Sequence, residues 1–177
     1  MIILGLDIST SITGVAVIED GVLIQSFSID TRKKDKFPDV YDVADQIYKE
    51  LYENVKKVDA IYVEESLKAF ASGFSSANTI VKLSKINALA CYICIGLYGL
   101  KPKPIMATSA RSMFDIKFPR KSSSKEKKLI ILNWVTENFP EFEYTTTKKG
   151  NPKPGTFDRS DAALIAKVGE VLEKSES

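Results

Sequence analysis

The stretch that most constrains the fold is IILGLDISTSITGVAVIEDG at residues 2–21, where a continuous apolar run ends on a bare carboxylate. Ile2, Ile3, Leu4 and Leu6 have the unbroken apolarity of a strand covered on both faces. Asp7 costs several kcal/mol to hold among such neighbours unless a cation or a hydrogen-bond donor meets it. A cationic species is therefore expected beside Asp7.

The surrounding pattern sets the architecture. Strands are expected at 2–8, at 15–19 (VAVIE) and at 22–29 (VLIQSFSI), with the Asp-Gly pair of the EDG turn closing a hairpin between the last two. The chain thus opens on a three-strand antiparallel meander. After a Lys- and Asp-rich loop ending at Pro38, the residues Val40, Val43, Ile47, Leu51 and Val55 recur at three- and four-residue spacing, which predicts an amphipathic helix to about Val58. DAIYVEES at 59–66 reads as a buried strand that again ends on carboxylates. A second helix is expected from Ser76 to Tyr98, and PIMAT at 104–108 is a short fifth strand. SSSKE at 122–126 offers serine caps to a helix that runs through Trp134 to about Asn138. Residues 140–157 are expected to be a loop, mobile in the free protein, and the last helix starts near Asp158. No linker or internal repeat divides residues 1–177, so one domain is expected.

Composition narrows the chemistry. The chain has no histidine, which removes imidazole bases, histidine triads and histidine metal ligands. Cys91 and Cys94 form a C-x-x-C, but they sit in the apolar helical stretch ALACYICIGLYGL with no second pair, and buried core thiols are the expected reading. Met1 is not followed by a charged leader region, and Lys82, Lys85 and Asn87 interrupt the longest apolar stretch. A cytoplasmic protein with no membrane partner is expected. The net charge of +2 conceals an uneven distribution. Lys117, Arg120, Lys121, Lys125, Lys127 and Lys128 oppose only Glu126 between positions 117 and 128, which points to an anionic partner.

The carboxylates are expected to meet. A strand, a crossing helix and a following strand of one sheet connect right-handedly and in parallel. If strand 59–66 returns beside strand 2–8, Asp7 and Glu64 share the carboxyl edge, where open α/β sheets place their sites. In TFDRSDAAL, Asp158 and Asp161 are three apart and lie on one face of a helical first turn, near the positive end of its dipole. Taken alone, D-x-x-D reads as a helix cap. Four carboxylates at one edge, however, repel one another, and a divalent cation relieves the repulsion. All-oxygen ligands favour Mg²⁺ or Mn²⁺ over zinc. Two such ions about 4 Å apart activate a water and stabilise the leaving oxygen of a phosphodiester, so phosphoryl transfer is the expected chemistry. Strand alternation sends only one of Glu64 and Glu65 to the site.

These segments resemble the RuvC Holliday-junction resolvases of the ribonuclease H-like superfamily. IILGLDISTSITGVAVIE resembles the family's first strand and hairpin, IYVEES its catalytic glutamate strand, and DRSDAALIA its closing D-x-x-D-A helix. The resemblance implies an α/β fold, a ribonuclease H-like mixed five-stranded sheet of a three-strand antiparallel meander plus two parallel strands, flanked by helices. It implies a crossover junction endodeoxyribonuclease acting as a homodimer on branched DNA, with helix 76–98 at the dimer interface. Asp7, Glu64, Asp158 and Asp161 would be its catalytic metal ligands for Mg²⁺ or Mn²⁺, and Lys125 the basic residue that opens the helix after the fifth strand. Phe70 and Phe74 would be candidates to wedge into a junction. Lys117, Arg120, Lys121, Lys125, Lys127, Lys128, Lys148 and Lys149 would contact DNA. The residues inserted after Glu64, and the long approach TTTKKGNPKPGTF to the last helix, depart from the cellular pattern and suggest a phage- or virus-like branch.

Two rivals remain at this point. GLDISTSITGVAV also resembles the first phosphate loop of actin-like ATP-binding proteins and sugar kinases, although these need two such domains. A non-catalytic junction-binding module is the other.

Overall fold

The computed structural model describes residues 1–65 and 77–176. Its sheet is ordered β3-β2-β1-β4-β5, formed by β1 (Ile2–Asp7), β2 (Ile12–Glu19), β3 (Val22–Asp30), β4 (Ala60–Glu64) and β5 (Lys103–Ile105). The first three strands are an antiparallel meander, and β4 and β5 add in parallel beyond β1. The helices are α1 (Val40–Asn54), α2 (Ala77–Tyr98), α3 (Ala107–Met113), α4 (Ser124–Asn138) and α5 (Thr156–Glu176). Phe70 and Phe74 lie outside the described residues.

Strand alternation divides the core between two faces. Leu4 and Leu6 of β1, Val15 and Val17 of β2, and Ile61 and Val63 of β4 face α1 and α2. Ile3, Ala16, Ile18, Ala60 and Tyr62 face α5, with α3 and α4 packed beside it. α1 starts where the sequence expects because Asp39 caps it, its Oδ1 accepting from the amides of Tyr41 at 2.7 Å and Asp42 at 3.1 Å. Ser123 caps α4 in the same manner, and Glu126 returns the bond by accepting from the Ser123 amide at 2.6 Å.

Several details differ from the expectation, and local contacts account for those that follow. β2 begins at Ile12, because Ser9 Oγ accepts from the Ile12 amide at 2.9 Å and donates to the Ile12 carbonyl at 2.6 Å, so the turn closes within Ser9–Ser11. β5 stops at Ile105, and the residues after it form α3, whose fully buried Ala110 packs on the α5 side of the core. α5 begins at Thr156, two residues before Asp158. The approach to α5 is the expected loop, and a bridged turn closes it: Thr146 pairs with Pro152, and the Thr147 amide donates to the Asn151 carbonyl at 2.7 Å.

α2 stands apart from the other described helices in its composition. It is long and apolar enough by composition to cross a membrane, with a mean hydropathy of 1.6 over its best window. Here its Ile86, Ala90 and Cys94 are buried against the sheet and α1, while Val81, Tyr92 and Ile95 are exposed. Burial pushes the Cys94 thiol up to about 12, which suits an inert core thiol, and both cysteines are free.

α5 lies directly on the backbone of β1 and β2. A Cβ on Gly5 would strike the Ala162 carbonyl and come within 2.6 Å of the Ala166 amide. A Cβ on Gly14 would strike the Asp158 carbonyl. Glycine at both positions sets the helix-to-sheet distance. Gly5→Ala is therefore expected to destabilise the fold by about 1–3 kcal/mol through overpacking, read as a lower urea midpoint with an unchanged slope.

Candidate active site

The register places the first two carboxylates. Leu6 of β1 pairs with Val63 of β4 in parallel, so Asp7 and Glu64 are the next residues of both strands at the same edge. Ala60 and Tyr62 point toward α5, and Glu64 continues that alternation. Glu65 falls on the opposite phase, and its amide donates to the Ile105 carbonyl at 2.8 Å. Glu64, rather than Glu65, is thus in phase with the residues that face α5.

The other two carboxylates arrive through Gly14. Asp7 pairs across the hairpin with Gly14, and Gly14 lies under the Asp158 backbone, so the first turn of α5 is delivered to Asp7. Asp161 follows one turn later. Arg159, between them, serves the anchor: its guanidinium donates to Ser26 Oγ at 2.8 Å and to the Glu143 carbonyl at 2.8 Å, and lies 4.8 Å from the Phe142 ring centre.

Electrostatics shows that the four share one field. Burial, and then the charges of Asp161, Glu64 and Asp158, push Asp7 well above the carboxylate range. Burial raises Glu64 too, while a hydrogen bond with Asp7 opposes the rise. Asp158 is raised by burial. Asp161 is raised to about 7 by burial and by Glu64. Each of the four is partly exposed, so solvent and ions reach them. Among the described residues no three acidic, Cys or His side chains are near enough to form a ready-made metal cage. The four thus share a field rather than a single point. An all-oxygen set of mutually repelling carboxylates fits a hard divalent cation, whose charge would hold all of them ionised.

The cations nearby differ from the expected one. Lys125 Nζ donates to Asn151 Oδ1 at 2.7 Å and ties α4 to the bridged turn. The lysine whose charge acts on all four carboxylates is Lys128, one turn further along α4. Arg111 at the end of α3 acts on Glu64 and Asp161. Nothing in the sequence pattern marks Arg111, because composition does not set α3 apart from the strand before it. Arg111 and Lys127 flank the Phe118 ring at 4.8 and 5.8 Å from its centre. Together with Glu64, Asp161 and Lys128 they line a cleft of about 310 Å³. Lys117 is paired with Asp115 at 2.9 Å, while Arg120, Lys121, Lys148 and Lys149 are exposed.

A three-strand meander continued by parallel strands, with helices on both faces and acidic residues at the ends of β1 and β4, is a ribonuclease H-like fold. Solved structures of similar fold are Thermus thermophilus RuvC in complex with Holliday junction substrate, the same protein alone, and the yeast mitochondrial Holliday junction resolvase Ydc2. The first has a TM-score of 0.63 at 13% identity, covering 99% of this chain and 96% of that one. The second has 0.61 at 15% identity, covering 99% and 97%. Ydc2 has 0.59 at 16% identity, covering 93% and 75%. Neither a family model nor a curated protein sequence matches the chain.

The raised carboxylates carry a pH signature. Asp161 moves from its ordinary 3.8 to about 7 in the folded, metal-free chain. Between those values the native state keeps a proton that the unfolded chain has released, so stability falls as pH rises through that window. The melting temperature in chelator is expected to drop from pH 5 to pH 8. Added Mg²⁺ should restore it at pH 8 and do little at pH 5, as calorimetry would read directly.

Proposed function

We propose that the chain is a metal-dependent endonuclease that cuts phosphodiester bonds in branched DNA, with four-way junctions as its substrate and paired nicks as its outcome. The observation that carries this reading is the field shared by Asp7, Glu64, Asp158 and Asp161 at the carboxyl edge of β1 and β4. The fold it shares with RuvC in complex with Holliday junction substrate supports the choice of DNA structure.

Asp7, Glu64, Asp158 and Asp161 would hold Mg²⁺ or Mn²⁺. When bound, the metal supplies an activated water and charge stabilisation of the leaving oxygen. The chain's own residues do the rest. Burial and the neighbouring charge of Glu64 keep Asp161, raised to about 7, poised to exchange its proton for metal near neutral pH. Lys128 and Arg111 bring positive charge to the cleft where a phosphate must sit. Exposed cations, among them Arg120, Lys121, Lys148 and Lys149, grip the backbone at a distance from the chemistry.

Asp7→Asn keeps the shape and removes a charge that holds metal. Junction cleavage is expected to fall by about 10²-fold or more, while binding stays within about threefold. The same variant should be more stable than the parent in chelator, because a repelling charge is gone. Cleavage at the parental rate would exclude the metal reading.

A junction of near two-fold symmetry calls for two matching sites, which a two-fold dimer provides. We assign its interface to the exposed face of α2, where Val81 is 53%, Tyr92 74% and Ile95 43% exposed. Tyr92→Glu is expected to convert a dimer into a monomer in sedimentation at micromolar concentration, and to uncouple the two nicks.

A further inference from the structure

A second cationic surface lies on the far side of the carboxylates from α4. Residues 32–36, between β3 and α1, carry Arg32, Lys33, Lys34 and Lys36 against Asp35 alone. All four cations are exposed. Among the described residues Lys33, Lys34 and Lys36 have no ion-pair partner, whereas Arg32 closes on Asp30, its guanidinium donating to both carboxylate oxygens at 2.9 and 2.6 Å.

This loop is built in place. Ile12 and Asp30 pair at the end of the β2–β3 ladder. Beyond it the Thr31 amide and hydroxyl both donate to the Ser11 carbonyl, at 2.8 and 3.1 Å. Ser11 belongs to the turn that directly follows Asp7. The Lys36 and Phe37 amides both donate to the Lys33 carbonyl, at 3.0 and 2.9 Å. Phe37 packs against the core on the α1 and α2 side. An open groove of about 710 Å³ is lined by Arg32, Lys33, Lys36, Phe37, Gln46 and Asp30, the last neutralised by Arg32. The two flanks meet electrostatically at Asp158, which feels Lys128 from one side and Arg32 from the other.

Like charges held close together on a fixed loop repel one another, and free lysines beside a site for phosphodiesters gain most from a polyanion. We propose that residues 31–37 form a second phosphate-binding track, so that a DNA backbone crossing the carboxylates is gripped on the β3 side as well as on the α4 side. The inference rests on the nuclease reading for the choice of DNA, and sequence reasoning did not single these residues out.

The test replaces Lys33, Lys34 and Lys36 by glutamine in the full chain. A control variant carries Lys56→Gln, Lys57→Gln and Lys101→Gln, which sit at the opposite end of the sheet. Affinity for a synthetic four-way junction is measured without divalent metal over a range of salt, and cleavage is measured separately with Mg²⁺. The loop variant is expected to bind about tenfold or more weakly, with a salt slope shallower by about 2 to 3, while the control changes neither. Equal affinity and slope in loop variant and parent would overturn the proposal, as would an equal loss in the control or a parent that binds no junction. A parent that binds but never cuts would remove the nuclease reading and leave the loop standing on its binding result.

Discussion

The packing of α5 on the sheet is a contact between backbones, and the site depends on it. Gly5 and Gly14 remove the two side chains that would hold the helix away. Because Gly14 is the hairpin partner of Asp7, the absence of a Cβ there brings Asp158 down to the strand that bears Asp7. The small residues of α5 serve the same approach: Ala162, Ala163 and Ala166 are fully buried against the sheet. The core on this face is thus thin beside Asp7 and Asp158 and thick toward the other end, where Tyr62 and Phe139 fill it.

Electrostatic repulsion among the carboxylates is the cost of that approach. Asp7 and Asp161 are held where burial and like charge both disfavour ionisation. Lys128 and Arg111 offset part of it and leave a deficit that a divalent ion would fill. In the metal-free chain that repulsion weighs against the stability of the fold.

Much of this was legible in the sequence. The continuous apolar run to Asp7, the Asp-Gly turn and the period of α1 fixed the meander, the crossover and hence the edge shared by Asp7 and Glu64. The serine cap of α4 was legible because capping is a local rule. What escaped depended on contacts made through space. α3 is only seven residues long and follows an apolar strand with no break in composition. Lys125 and Lys128 are equivalent in sequence terms, and only the crossing of α4 over α5 decides which lysine faces the carboxylates. The cations at 32–36 read as an ordinary polar loop, since the strand order that carries them to the site edge is a tertiary fact.

The Gly14–Asp158 contact also sets when the four carboxylates can come together. Asp7 and Glu64 are synthesised early, but the partners they need lie on α5, about a hundred residues behind Glu64. A nascent chain whose translation has not passed Asp161 holds half of the carboxylate set and lacks the helix that covers β1 and β2. The set of four carboxylates is therefore complete only once α5 has been made and lies over β1 and β2.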